Sequence, residues 1–279
     1  MIRLAVVQYE PEFGNIKTNL HAMETAIRAA AADGAAVVVL PELSNSGYMF
    51  ASRDEAFSLS EVVGEGPATA LWKALAQELH LYIVAGLTER VDASLYNAAI
   101  LHGPDGYLAT YRKVHLWDEE ALYFEPGNLG FPVVTTPIGR LGMMICYDGW
   151  FPESYRSLAL GGVDIVCVPT NWVPIPGQQP GQPGMATILT MANAHSNGVI
   201  VAAADRVGTE RGQEFIGQSL IVDHTGWPVA GPASLDGSEI ILGDVDVAEA
   251  RRSRAWGAFN NPVKDRRLEA YGVGAAIGA

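Results

Sequence analysis

Cysteine and lysine are both scarce in this chain, with two Cys and four Lys among 279 residues. Two thiols cannot build a disulfide framework. Both lie in apolar runs, Met143-Met144-Ile145-Cys146 and Ile165-Val166-Cys167-Val168, that read as strands with reduced thiols, so a cytoplasmic location is expected. Positive charge is short as well. With 18 Lys+Arg against 31 Asp+Glu the formal charge is −13, and no basic cluster exceeds Arg251-Arg252-Ser253-Arg254. Such a surface repels phosphate backbones and anionic lipid, which excludes nucleic acid and membrane as expected partners. No run of about 18 uninterrupted apolar residues occurs, and Met1-Ile2-Arg3 leads straight into Leu4-Ala5-Val6-Val7 without a signal-peptide pattern. Neither a membrane span nor secretion is expected.

Several chemical motifs are missing too. HExxH and CxxC are absent and the six His are scattered, so no metal and no cofactor is implied. Neither GxxxxGK[ST] nor GxSxG occurs, and Gly272-Val273-Gly274 follows no strand and opens no helix, which rules it out as a dinucleotide loop. A papain-like pairing of Cys with an oriented His finds no obvious partner, and His195 falls on a helix where packing is its expected role.

What remains is a chain that is 49% apolar and 18% charged, enough to bury a large core. One domain spanning 1–279 is expected, with 257–279 as a C-terminal tail. The order of elements repeats. Ile2 to Gln8 reads as a strand, Asn15 to Ala32 as a helix, Ala35 to Leu40 as a strand, Pro67 to His80 as a helix and Leu81 to Ala85 as a strand; a hairpin turning at Pro104-Asp105-Gly106 closes the half. The second half echoes this with strands Leu141 to Cys146, Asp164 to Val168 and Val199 to Ala203, helices near 152–160 and 186–196, and a hairpin at His224-Thr225-Gly226. Two such copies, each with its helices on one side, predict two sheets face to face in a four-layer α-β-β-α sandwich with an internal pseudo-repeat.

In such folds chemistry collects at the carboxyl ends of strands. Glu42 follows Val37-Val38-Val39-Leu40-Pro41, where partial desolvation raises a carboxyl pKa and suits a general base, although a solvated strand-end Glu fits equally. Lys113, in Tyr111-Arg112-Lys113-Val114-His115-Leu116, is the one lysine in an aromatic and apolar setting. It reads as an oxyanion-stabilising ammonium or as a structural salt bridge. Cys146 ends a strand and precedes Tyr147-Asp148-Gly149-Trp150-Phe151-Pro152-Glu153, a turn running into a helix, so backbone N–H groups lie close to its sulfur. Cys167 lies mid-strand and reads as a small buried hydrophobe. The Pro/Gly-rich stretch from Val173 to Gly184 follows another strand end and reads either as a functional loop or as a surface insertion.

Glu42, Lys113 and Cys146, spaced 71 and then 33 residues apart, resemble the catalytic set of the nitrilase superfamily of carbon–nitrogen hydrolases. Val39-Leu40-Pro41-Glu42-Leu43 with Gly47-Tyr48, the Lys113 segment, Cys146 to Glu153, Tyr123-Phe124-Glu125-Pro126-Gly127 and the tail Asn261-Pro262, Asp265-Arg266-Arg267 and Tyr271 are each similar to family segments. The resemblance runs from Leu4 to about Tyr271 and implies the same α-β-β-α sandwich. It implies that Cys146 is the nucleophile, that Glu42 is the base, and that Lys113 with the backbone N–H of Tyr147 stabilises the oxyanion. Glu120 is implied as a second Glu holding Lys113, with adjacent Glu119 competing for that role. Asn171 and Trp172 face the same end and would contact the substrate, and Tyr48, Trp150 and Trp172 would line an apolar pocket.

The run after Cys146 lacks the Trp-Glu of true nitrilases and is closer to amidases, which implies a small-carboxamide substrate. A nitrilase, an N-carbamoyl amine or amino acid hydrolase, and a catalytically retired binding subunit are the alternatives, and no Arg suited to a substrate carboxylate is evident. A homodimer or larger homo-oligomer follows from the resemblance.

Overall fold

The computed structural model describes residues 1–179 and 182–271. Gly272-Val273-Gly274, the end of the tail, and Pro180-Gly181 of the Pro/Gly-rich stretch lie outside the described residues. The first half comprises β1 (Ile2–Gln8), α1 (Ile16–Ala32), β2 (Val37–Val39), α2 (Arg53–Ser58), α3 (Pro67–Leu79), β3 (Tyr82–Val91), β4 (Ser94–Gly103), β5 (Gly106–Arg112) and the single turn α4 (Glu120–Tyr123). Local chemistry sets several boundaries. The Asn15 side chain accepts the Thr18 N–H at the start of α1, Pro67 opens α3, and His80 ends it in the left-handed conformation.

The second half comprises β6 (Val133–Thr136), β7 (Gly139–Met143), a 3-10 turn over Cys146–Trp150, α5 (Pro152–Leu160), β8 (Ile165–Pro169), α6 (Met185–Asn197) and β9 (Ile200–Ala204). The short hairpin β10 (Thr209–Glu210) and β11 (Gln213–Glu214) follows, then β12 (Leu220–Val222), β13 (Pro228–Ala230), β14 (Glu239–Val245) and α7 (Val247–Ser253).

Two six-stranded sheets form, ordered β14-β1-β2-β3-β4-β5 and β13-β12-β9-β8-β7-β6. Within them β1-β2-β3 and β7-β8-β9 are parallel. Period-two alternation assigns each strand residue to a layer. Leu4, Val6, Val37, Val39 and Val84 share one core with Leu141, Ile165 and Ile200 of the facing sheet. Their neighbours Ala5, Val7, Val38, Leu40 and Ile83 pack instead with Met23 and Ile27 of α1 and Trp72 and Leu75 of α3. Tyr155 and Leu158 of α5 and Ala194 of α6 cover the second sheet. Because both faces of the parallel strands are buried, those strands are continuous apolar runs, as the sandwich requires.

The echo is less regular than expected. β14, from the end of the chain, crosses back and pairs antiparallel with β1 along its whole length, from Ile2↔Val245 to Gln8↔Glu239. It covers an edge that the first half leaves open. β6 likewise adds an antiparallel edge to β7. The Tyr9↔Arg206 bridge then joins the two sheets at the ends of β1 and β9. Among the described residues no helix is long and apolar enough to cross a membrane.

Candidate active site

The carboxyl ends of β2, β7, β8 and β9 converge, and each delivers a polar group. Glu42 follows β2 on a turn in which Leu43 has φ 48°. Gly86 of β3 makes this turn possible, since a Cβ there would lie 2.6 Å from both Glu42 Cα and Leu43 N. Cys146 opens the turn after β7 with φ 44°, a left-handed conformation rare for a residue other than glycine and common at functional sites. The first N–H groups of that turn, including that of Tyr147, have no acceptor within it. Lys113 follows β5, its N–H bound to Asn97 O at 2.8 Å and its carbonyl accepting Gly127 N–H at 2.8 Å. Gly127 packs so tightly that a Cβ would sit 2.0 Å from Arg112 O, which accounts for the Pro126-Gly127 segment.

Lys113 is fully buried between two carboxylates, with Nζ 2.7 Å from Glu42 Oε1 and 2.6 Å from Glu120 Oε1. Glu120, not Glu119, meets it. Glu119 is exposed, and its carboxylate accepts only from the Tyr123 hydroxyl at 3.3 Å. Tyr48 OH donates to Glu120 Oε1 at 2.6 Å, so Tyr48 braces the second Glu as well as lining the pocket, a correction to its purely apolar assignment. Glu42 Oε1 also accepts from Asn97 Nδ2 at 2.6 Å, whereas Glu42 Oε2 is buried without a partner. The Glu42 carbonyl accepts from Asn171 Nδ2 at 3.0 Å, which ties the β2 and β8 ends together.

Burial pushes the Glu42 carboxyl up to about 7 against the pull of Lys113, and the Glu120 charge adds to the rise. Burial also opposes the Lys113 charge, yet the charges of Glu120 and Glu42 outweigh it and hold the ammonium above its ordinary value. The Cys146 thiol is raised well above its usual value by burial and by the Glu42 charge, with Lys113 pulling back. The resting sulfur is therefore a thiol that needs a base. Cys167 lies mid-strand in β8, wholly buried, with burial alone pushing it up to about 12.

Other parts of the site escaped the sequence analysis. Asp148 is wholly buried and brackets the elbow to the Lys113 segment. Its Oδ2 accepts Ile145 N–H at 2.9 Å and Tyr111 OH at 2.6 Å, while Oδ1 accepts His115 N–H at 3.0 Å and meets His115 Nδ1 at 2.7 Å. Its signal was its place inside the Cys146 motif. Asn97 betrayed itself only as a polar residue within an apolar strand. Arg206 and Glu210 form a buried 2.7 Å ion pair, and Glu210 Oε1 accepts the N–H groups of Tyr48 and Met49 at 2.7 and 2.6 Å. No local pattern marks that clamp.

A slot of about 20 Å³ at Cys146 is walled by Trp117, Tyr147, Trp150, Asn171, Trp172, Val173 and Ile175. Val173 and Ile175 bring the start of the Pro/Gly-rich stretch into the site. An adjoining cavity of about 150 Å³ shares Trp117 and Val173 and reaches Tyr48, Asp118, Glu119 and Glu120. All the residues expected at the site thus gather at one end of the sandwich. Among the described residues lining these cavities none is Arg. No cluster of three metal-ligating side chains occurs among the described residues.

A buried thiol, carboxylate and ammonium at the strand ends of an α-β-β-α sandwich define a class of hydrolase acting on carbon–nitrogen bonds. The profile of the carbon–nitrogen hydrolase family matches residues 3–255, and the chain belongs to that family. It is 39% identical over 271 residues to a nitrilase from Pyrococcus abyssi, covering 97% of this chain and 99% of that one. It is 33% identical over 282 residues to N-carbamoylputrescine amidase from Arabidopsis thaliana, covering 93% and 90%. The structure of a mutant of the amidase from Nesterenkonia sp. AN1, which shows acrylamide added at its active-site cysteine, aligns with TM-score 0.78 at 26% identity, covering 96% and 98%. The protein is an enzyme that hydrolyses carbon–nitrogen bonds other than peptide bonds.

Proposed function

We propose that the protein is an amidase that converts a small carboxamide to its carboxylic acid and ammonia through a thioester on Cys146. One observation supports this above others: Glu42 spends Oε1 on Lys113 and Asn97 and keeps Oε2 unpartnered, in a site whose thiol is not ionised at rest. Oε2 takes the thiol proton as sulfur attacks the amide carbon. Lys113 and the Tyr147 N–H stabilise the oxyanion, each donor worth roughly 3 to 4 kcal/mol in comparable sites. Glu42 returns the proton to the leaving nitrogen, ammonia departs and the thioester remains. Glu42 then takes a proton from water as it attacks, and passes that proton to the departing sulfur, which releases the acid. Glu120, braced by Tyr48, holds Lys113 in place. The slot of Trp150, Trp172, Val173 and Ile175 favours a small apolar acyl group.

A second reading has its own support. Asp118 and Glu119 line the outer cavity and no Arg does, which suits an N-carbamoyl amine with a cationic tail better than an N-carbamoyl amino acid. We further propose a homodimer or larger homo-oligomer, since Ile188 of α6 and Trp227 are 44% and 70% exposed along one apolar groove. Two unpaired cysteines fit a reducing, cytoplasmic setting.

The test is a panel of carboxamides, nitriles and N-carbamoyl compounds with ammonia detection, plus mass spectrometry of the acyl adduct. Carboxamides are expected to turn over fastest; a clear nitrile preference would overturn the assignment, and no turnover by any member would favour a retired binding subunit. Cys146→Ala is expected to lower turnover by about 10³-fold or more with the fold retained, and Cys167→Ala to keep it. Equal loss from both would remove Cys146 from its role.

A further inference from the structure

We propose that Asp205, at the carboxyl end of β9, is a positioning residue whose carboxyl group fixes the Asn171-Trp172 turn and thereby the wall of the pocket facing Cys146. The proposal rests on the amidase reading above and adds a residue to it. β8 and β9 are adjacent and parallel, and Thr170 N–H continues their ladder by bonding Ala204 O at 2.9 Å. Two residues on from Thr170 the ladder gives way to a side chain, with Asp205 Oδ1 accepting Trp172 N–H at 2.8 Å and Arg206 N–H at 2.9 Å.

The Trp172 carbonyl is held from the other side by Ile216 N–H at 3.0 Å. Both peptide planes flanking Trp172 are thus pinned, and with them the side chain that closes the slot at Cys146. The same turn carries Asn171, whose Nδ2 holds the Glu42 carbonyl. Asp205 is itself anchored, its N–H donating to Ser219 Oγ at 2.8 Å, and Ser219 Oγ donates to Gln8 Oε1 at 2.9 Å.

The carboxyl group is wholly buried and Oδ2 has no partner, so an ionised Asp here carries a large desolvation cost. Burial pushes it well above the ordinary carboxylate range. The Glu42 charge raises it further, while the Trp172 and Arg206 N–H groups and the Arg206 charge oppose the rise. Burial thus works against the charge, and a carboxamide is the closest isostere of the uncharged acid. What the position needs is an acceptor of the right length, not a charge.

The test compares Asp205→Asn, Asp205→Ala, Trp172→Ala and the Ala-Ala double variant in kcat, KM and thermal unfolding, using the best amide of the panel. Asp205→Asn is expected to stay within about 3-fold of the parent in both constants. Asp205→Ala is expected to raise KM by about 10-fold or more with a smaller change in kcat, the cost of a lost acceptor. In the Trp172→Ala background that increase is expected to disappear, because the residues act through one wall. If Asp205→Ala does not fold, Asp205→Ser, whose hydroxyl is too short to reach Trp172 N–H, takes its place.

A readout independent of hydrolysis is the ratio of Cys146 alkylation rates by N-ethylmaleimide and iodoacetamide. Asp205→Ala is expected to raise this ratio and Asp205→Asn to leave it. Additive effects of the Asp205 and Trp172 changes, or equal loss from Asn and Ala, would overturn the proposal. A parent enzyme that hydrolyses no amide but shows the expected alkylation pattern would overturn the amidase reading and leave the role of Asp205 standing.

Discussion

At the scale of single residues, this site is decided by how one buried cation is shared. Lys113 lies within 2.7 Å of two carboxylates, so its charge is already compensated, and burial lifts Glu42 to about 7 despite that contact. A base poised near neutrality follows from desolvation outweighing attraction. In the proposed base role Glu42 acts in its ionised form, so kcat/KM for the best amide is expected to rise with pH through about 7 and level off above it. Glu42→Gln is expected to lose at least about 10²-fold and the rise with it. A flat profile from pH 5.5 to 8 in the parent enzyme would contradict this. Glu42 and Cys146 were legible from sequence because each sits at the end of an apolar run in a motif, and Lys113 because it is the one lysine in an aromatic and apolar setting. The choice of Glu120 over Glu119 was not: it depends on which way the α4 turn faces.

At the scale of elements, glycines set how closely the turns approach. Gly86 lies in β3 directly beneath the Glu42 turn, and its N–H and carbonyl bond Pro41 O at 3.2 Å and Ser44 N at 2.9 Å. A methyl group there has no room, with Glu42 Cα, Leu43 N and Pro41 O all within 2.7 Å of the Cβ position. Gly86→Ala is expected to destabilise by about 1–3 kcal/mol, as overpacking does, and to lower kcat by displacing Glu42. Gly34→Ala, where nothing lies within 4 Å but φ is +84°, is expected to cost only about 1–2 kcal/mol of conformational strain and to keep kcat. Thermal unfolding alongside turnover separates the two. Strands and helices of the parallel core were legible because apolar runs and Ala-rich helical spacing are local signals. β6, β14, α2, α4 and α7 were not read, since each is short or partly polar and is held in place by what it packs against.

For the whole molecule, the decisive event is the return of the chain. β14 leaves the second half to complete the first sheet, and Arg3 seals the junction through Asp244 at 2.8 Å. The Tyr9↔Arg206 bridge closes the opposite end, so residues from both halves meet at one rim. Ile188 on α6 and Trp227 in the turn between β12 and β13 are exposed, and light scattering is expected to report at least twice the 29.8 kDa chain mass. Trp227→Asp is expected to lower that mass toward a single chain. A parent protein already monomeric at micromolar concentration would refute the proposed association.

The sequence by itself determined the class of fold and, through the family resemblance, marked Glu42, Lys113 and Cys146 as the candidate reactive positions. Hydrophobic periodicity, strand-stopping prolines and a Cys at a strand end are properties of neighbouring residues and need no partner to be read. Only the tertiary structure decided which groups share the buried charge, which asparagine and aspartates brace the turns, and how wide the pocket is. Those depend on contacts between residues far apart in the chain, as between Glu42 and Asn171 or Trp172 and Asp205. Burial, which sets the acid–base character of Glu42 and Cys146, exists only once both sheets have closed over them.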